Sequence, residues 1–213
     1  GCGITALDLS DNDIDFRGLA LIGNHVKHSS TITALNISSN WQRKPIGLVA
    51  ITNAAYDHPT LTALNLNKTN AGNFSPMIAK SVSSMLRSPG CILEKLNIKG
   101  NGFSCSDLCT ILKRGLSANK SLKWLYFGAN KFSCNVGGGS ESPFRSWEKR
   151  RQKRDNEIKL IQAMREVFTR NRTLKNWSLA NTYFEDFRRA RSRSISSNEA
   201  DVSARNLLSS SSR

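Results

Sequence analysis

Apolar and polar residues alternate over Ile4-Thr-Ala-Leu7-Asp-Leu9 and then give way to Ser-Asp-Asn12. A short alternation that runs into turn-forming residues predicts a strand entering a tight turn. The pattern returns at Ile32-x-x-Leu35-x-Ile37-x-x-Asn40, Leu61-x-x-Leu64-x-Leu66-x-x-Thr69, Leu93-x-x-Leu96-x-Ile98-x-x-Asn101 and Leu122-x-x-Leu125-x-Phe127-x-x-Asn130. A degenerate sixth copy reads Leu174-x-x-Trp177-x-Leu179-x-x-Thr182, and in the third copy Asn70 follows Thr69 one place late. Successive copies start 28, 29, 32 and 29 residues apart, before one gap of 52. A strand this short cannot bury its own apolar face, so the period predicts stacked units that share one core.

Helical spacing fills the intervals. Leu19, Ile22 and Val26 stand at i, i+3, i+7, and Leu48, Ile51 and Ala55 repeat that spacing one unit later. Ile78, Val82 and Met85 continue the series, followed by Leu108, Ile111 and Leu116 and then by Ile161, Met164 and Phe168. Each of these faces is expected to pack on the sheet. The asparagine that closes each motif has a structural assignment. A sharp turn leaves buried amide and carbonyl groups, and one carboxamide satisfies both kinds. Six N-x-S/T sequons, at Asn36, Asn67, Asn73, Asn119, Asn171 and Asn176, are read as a by-product of a chain rich in Asn, Ser and Thr.

These motifs resemble the leucine-rich-repeat proteins of the ribonuclease-inhibitor-like subtype, over roughly Ile4 to Phe184. The resemblance implies an α/β right-handed solenoid, a horseshoe arc of about six repeats with parallel strands on the concave face and helices on the convex face. It says little about function, since that framework serves ribonuclease inhibition, small-GTPase activation, immune sensing and actin regulation. The expected organisation is a repeat domain at 1–184, with a Gly/Ser and basic insertion at about 133–155, and a disordered Arg/Ser-rich tail at 185–213. A repeat strand begins within three residues of Gly1 without a polar cap, so the chain is expected to be a fragment of a longer array.

Charge adds a second layer. The net charge is +15 and the pI about 10.1. Residues 1–128 hold 13 basic and 7 acidic side chains, a net of +6, whereas 129–213 hold 18 and 9, a net of +9. Much of the excess sits in Arg145, Lys149, Arg150, Arg151, Lys153 and Arg154, inside the insertion. Ser142-Pro143 resembles a helix cap and first position, so this run is expected to extend the following helix, with Phe144 and Trp147 anchoring the insertion. Three Arg-x-x-Ser spacings place Ser192, Ser194 and Ser196 as candidate sites for a basophilic kinase.

Catalytic chemistry finds little footing. Three histidines (His25, His28, His58) and five scattered cysteines make no tetrahedral metal set, and Gly137-Gly-Gly lacks the Lys-Ser/Thr continuation of a phosphate loop. No cofactor is implied, the chain is read as no enzyme, and no apolar run is long enough to span a membrane. The odd, scattered cysteines point to a reducing, intracellular setting, cytoplasmic or nuclear. What remains is binding. Between the strand leucines, the first three repeats offer small residues that are neutral or weakly charged, whereas the later ones offer Lys95, Lys99, Lys123, Trp124, Tyr126 and Lys175. Exposed aromatic and basic side chains dominate interface energetics. The expected function is therefore a protein-interaction scaffold that holds an acidic segment at the fourth and fifth repeats. Nucleic-acid or anionic-surface binding through the basic insertion, and regulation of a small GTPase, stand as alternatives.

Overall fold

A computed structural model describes residues 3–130 and 143–178, which lie within one compact unit, Gly1–Ala180. The glycine-rich part of the insertion, the 185–213 segment and with it Ser192, Ser194 and Ser196 fall outside the described residues. The described chain is α/β. Six strands form one all-parallel sheet in sequential order: β1 (Ala6–Asp8), β2 (Ala34–Asn36), β3 (Ala63–Asn65), β4 (Lys95–Asn97), β5 (Trp124–Tyr126) and β6 (Asn176–Ser178). Between them run α1 (Phe16–Lys27), α2 (Ile46–Ala54), α3 (Ser75–Arg87), α4 (Cys105–Thr110) and α5 (Pro143–Arg170). A 3-10 turn, Ala71–Phe74, leads into α3, and a π-helical turn, Ile111–Leu116, continues α4.

The register sets the motif copies side by side. Leu7, Leu35, Leu64, Leu96, Leu125 and Trp177 stand in one row across the six strands, so the indole of the degenerate sixth copy takes a leucine's place. From Leu35 to Leu125 the row is at most 2% exposed. Ile37, Leu66, Ile98 and Phe127 are buried two residues further on, as are Leu19, Leu48, Ile51, Ile78, Val82 and Met85 of the helices. Strand leucines and one helical face thus close a single core, and alternation along each strand leaves the other side of the sheet open. Helices α1 and α2 come closest: a Cβ on Gly47 would stand 2.8 Å from the Phe16 carbonyl oxygen, and one on Gly23 would stand 2.8 Å from the Ala50 carbonyl carbon.

Three of the motif asparagines do what the turn requires, and they do it between repeats, whereas Asn12 is exposed and its amide donates to Ser10 O (2.9 Å) in its own turn. Asn40 Oδ1 accepts the N–H of Ile14 (2.9 Å), while its Nδ2 donates to the carbonyls of Leu9 (2.8 Å) and Ile37 (3.0 Å). Asn101 accepts from Thr69 N–H (2.7 Å) and donates to Leu66. Asn130 accepts from Asn101 N–H (2.9 Å) and Phe103 N–H (3.2 Å), and donates to Ile98 (3.1 Å) and Phe127 (2.7 Å). All three are at most 8% exposed. Thr69 keeps only part of this role: its hydroxyl donates to Leu66 O (3.1 Å) within its own repeat.

A second set of side chains closes the opposite end of the repeats. Three residues before each motif stand Ser29, His58, Asn119 and Asn171, with Gly90 in the fourth place. Asn119 Oδ1 accepts the N–H groups of Ser121 (3.1 Å) and Leu122 (2.7 Å), and its Nδ2 donates to Leu86 O (2.8 Å) at the end of the preceding helix. Asn171 repeats this with Thr173, Leu174 and Leu116 O. His58 substitutes an imidazole: Nδ1 accepts from Thr60 (3.2 Å) and Leu61 (3.0 Å), so Nε2 carries the proton and donates to Val26 O (2.8 Å). These contacts also explain two sequons. The carboxamides of Asn119 and Asn171 are occupied by backbone.

Each turn has a left-handed residue four places after the strand leucine: Asp11, Ser39, Lys68, Gly100 and Ala129, with φ between 53° and 66°. Only one of the five is glycine, although that region penalises a Cβ.

Helix α5 corrects one sequence expectation and meets another. It runs unbroken from Pro143 through the basic residues, as the capping pattern predicts. Its buried face is Leu160, Ala163, Met164 and Val167, however, and Ile161 is 37% exposed. Phe168 is half-buried and stacks on Trp177, with centroids 4.7 Å apart. The face is turned because α5 packs on α4 and the π-helical turn. Trp147, expected to anchor the insertion, is 52% exposed.

Two stability measurements test this account. Replacing His58 by Asn should change urea stability by less than about 1 kcal/mol, whereas His58→Ala should cost about 1–3 kcal/mol by leaving buried backbone groups unpaired. Ala129→Gly relieves a left-handed Cβ and should raise stability by about 0.5–1 kcal/mol, read as a higher thermal midpoint.

Candidate functional site

The open face of the sheet is built from two rows of outward residues. One row is Ala6, Ala34, Ala63, Lys95, Trp124 and Asn176, and the other is Asp8, Asn36, Asn65, Asn97 and Tyr126. The alanines leave the floor low over β1 to β3, and a groove runs over the face from Ala6 and Asp8 to Lys95 and Tyr126. Where the alanines stop, the floor rises into charge and aromatic surface.

At that step Lys95 Nζ lies 5.0 Å from the centroid of the Trp124 ring. Trp124 is half-buried, and Tyr126 beside it is 40% exposed. An ammonium over an indole keeps its charge and aligns the ring, at a worth of about 0.5–1 kcal/mol on an exposed surface. Lys99 is half-buried and Lys175 exposed. Lys123 differs from the other lysines. The register sets it opposite Glu94, whose carbonyl accepts the Lys123 N–H at 2.8 Å, and its ammonium is ion-paired with the Glu94 carboxylate. Its charge is therefore locally balanced, and it is a weaker cation for an incoming ligand than Lys95.

The asparagine row carries a signal that spacing does not reveal. Asn65 Oδ1 accepts the N–H of Asn67 (3.0 Å), and Asn97 Oδ1 accepts that of Lys99 (3.0 Å). Both carboxamides are thereby oriented with oxygen toward their own backbone, which leaves Nδ2 as the outward group. Asn36 is held the same way, and its Nδ2 donates to Asp8 Oδ2 (3.0 Å). From β3 to β5 the groove therefore presents donors: two amide NH2 groups and an ammonium. Asp8 closes the other end as a carboxylate, held below the usual carboxylate range chiefly by the Ser10 hydroxyl (2.6 Å), then by the Ser10 N–H and Asn36. The face is thus acidic at β1 and donor-rich from β3 onward.

The basic residues of the insertion lie elsewhere. Arg150, Arg151 and Arg154 are exposed on α5 and Lys153 is half-buried, while the side chains of Arg145 and Lys149 are outside those described. The structure therefore separates the two candidate regions, one on the open sheet and the other on a helix. Sequence reasoning also passed over Trp41, which is 65% exposed beside a concavity lined by Lys68, Asn70 and Gly100. It lies outside the motif, so periodicity gave it no role.

Reactive groups are few. Cys91 and Cys109 are free thiols, and burial pushes the Cys109 pKa up against the opposing pull of Lys113 and Lys159, which leaves a protonated, poorly nucleophilic thiol at neutral pH. Among the described residues no cluster of three or more His, Cys, Asp or Glu could hold a metal ion. No helix there is long and apolar enough to cross a membrane. The chain matches no protein-family model and no curated protein significantly.

The Lys123–Glu94 pair is about one-third exposed at both partners. A double-mutant cycle with Lys123→Ala and Glu94→Ala, followed by urea denaturation, should give a coupling energy below about 1 kcal/mol.

Proposed function

We propose that the chain is a leucine-rich-repeat solenoid of the ribonuclease-inhibitor-like kind, with the open sheet as its concave surface. It acts there as a non-catalytic interaction scaffold that binds an acidic segment of a partner protein across β3 to β5. The observation that carries this reading is the orientation of the face: the Nδ2 groups of Asn65 and Asn97 and the ammonium of Lys95 all donate, beside the exposed ring of Tyr126. Carboxylates accept hydrogen bonds and carry the opposite charge, so they complement such a surface both geometrically and electrostatically.

Trp124 and Tyr126 supply apolar area, Lys95 and Lys99 supply charge, and Asp8 disfavours an acidic ligand at the β1 end. The acidic part of the partner therefore lies over the later strands, with small neutral side chains over Ala6, Ala34 and Ala63. The free thiols of Cys91 and Cys109 support a reducing, intracellular setting for this interaction.

The test is a fluorescence-anisotropy screen of labelled acidic peptides against the whole chain. For the tightest peptide, Trp124→Ala and Tyr126→Ala should each weaken binding at least about tenfold, and Asn97→Leu should weaken it as well. Lys123→Ala should have the smallest effect. Unchanged affinity in both aromatic variants, at equal folded protein, would dismiss the reading.

A further inference from the structure

The outward side of α5 carries a pattern that the repeat core does not use. Trp147, Arg151, Arg154, Ile158, Ile161 and Arg165 are separated by 4, 3, 4, 3 and 4 residues. At 3.6 residues per turn these positions stay within one narrow stripe, about 27 Å long. All six are exposed, with Trp147 at 52%, Ile158 at 51% and Ile161 at 37%. The packed residues Leu160, Ala163, Met164 and Val167 fall on the opposite side of the helix. The Arg151 guanidinium lies 5.6 Å from the Trp147 ring centroid, which aligns the first two members of the stripe.

An alternating 4–3 spacing is the signature of a seam that meets another helix, because knobs at those positions enter the holes of a partner running alongside. The composition narrows the choice of partner. Three of the six positions are arginine, and Arg150 lies beside them. A second copy of this chain would set arginine near arginine in a molecule of net charge +15. A bilayer asks for a broad apolar face of about 100° or more, and three apolar side chains in a narrow stripe do not supply it. A phosphate backbone would satisfy the arginines and strand the two isoleucines in a polar interface.

We propose that the exposed seam of α5 is a docking surface for an acidic amphipathic helix of a partner. Apolar residues of that helix pack on Trp147, Ile158 and Ile161, and its flanking carboxylates pair with Arg151, Arg154 and Arg165. Arginine suits this work because its planar fork binds a carboxylate in bidentate fashion while its stem covers apolar surface. The surface is independent of the open sheet face, and the two readings stand or fall separately.

The probe is a labelled synthetic helix of about three heptads, with leucine along its seam and glutamate flanking it, plus a version with lysine for glutamate. Anisotropy with the whole chain at physiological salt should show binding of the glutamate helix and not of the lysine helix. The Ile158→Ser, Ile161→Ser double variant should weaken binding at least about tenfold. Arg151→Glu with Arg154→Glu should reverse the preference toward the lysine helix. Since all four side chains are exposed, circular dichroism and thermal midpoints should remain those of the wild type. Trp124→Ala should leave binding unchanged, which separates this surface from the open face. The proposal is overturned if the glutamate helix does not bind, if its binding is indifferent to the seam variants, or if it is lost in Trp124→Ala. It is equally overturned if the seam variants instead abolish binding to phosphatidylserine vesicles or single-stranded DNA, or abolish self-association in sedimentation.

Discussion

A carboxamide at the turn of three of the repeats, turned so that its oxygen takes backbone N–H groups and its nitrogen feeds backbone carbonyls, is the constraint on which this chain depends. The strands are three residues long and parallel, so the sheet ladder alone fixes little of the chain around it. After each strand the backbone reverses beneath the next repeat, where water cannot reach its polar groups. Asn40, Asn101 and Asn130 satisfy those groups with partners 26 to 35 residues earlier, and each thereby ties the turn of its own repeat to the turn before it. An apolar side chain there would leave several buried groups unpaired, each at a cost of about 1–3 kcal/mol. At the other edge Asn119, Asn171 and His58 tie strand entry to the preceding helix end. Core leucines supply the driving force, and these side chains supply the alignment that lets leucine meet leucine from strand to strand.

That alignment determines what the open face can be. Because the register never slips, equivalent positions form rows, and a single change of residue type produces a step in the surface. Alanine gives way to Lys95 and Trp124 in one row, and asparagine gives way to Tyr126 in the next. The same strictness sets Glu94 beside Lys123, so two residues that look independent along the chain quench each other. The asparagines at 65 and 97 become oriented donors only because their oxygens are used locally. Surface chemistry here follows from backbone accounting.

The strands, the buried asparagines and the helical faces of the first four repeats were legible because each rests on a short-range pattern repeated several times. Ile78, Val82 and Met85 are buried as their spacing predicts, and Trp177 takes its place in the leucine row despite the change of residue. Helix α5 was harder to read. Leu160, Ile161, Ala163, Met164, Val167 and Phe168 offer two overlapping apolar faces, and the neighbours α4 and the π-helical turn select between them. The candidate site was legible in residue type but not in state. Nothing along the chain reveals which lysine is paired or that His58 does the work of an asparagine, since each depends on a partner about thirty residues away, and the direction of each amide emerges only from its bond to a backbone N–H two residues on.

Thr69 changes how one joint is fastened. It stands where an amide would otherwise reach back across the turn, and its hydroxyl instead lies within bonding distance of Leu66 O in its own repeat (3.1 Å) and of Asn101 Oδ1 in the next (2.9 Å). The joint between the second and third repeats is held by sheet bonds, by the Thr69 carbonyl accepting Gln42 N–H at 3.1 Å and the Asn70 amide donating to Gln42 O at 3.2 Å, by the Thr60 hydroxyl donating to Ile32 O at 2.8 Å, and by the paired hydroxyls of Thr52 and Ser81. The means of fastening therefore differs from joint to joint while the register stays the same, so a hydroxyl can stand in one turn where an amide stands in its neighbours.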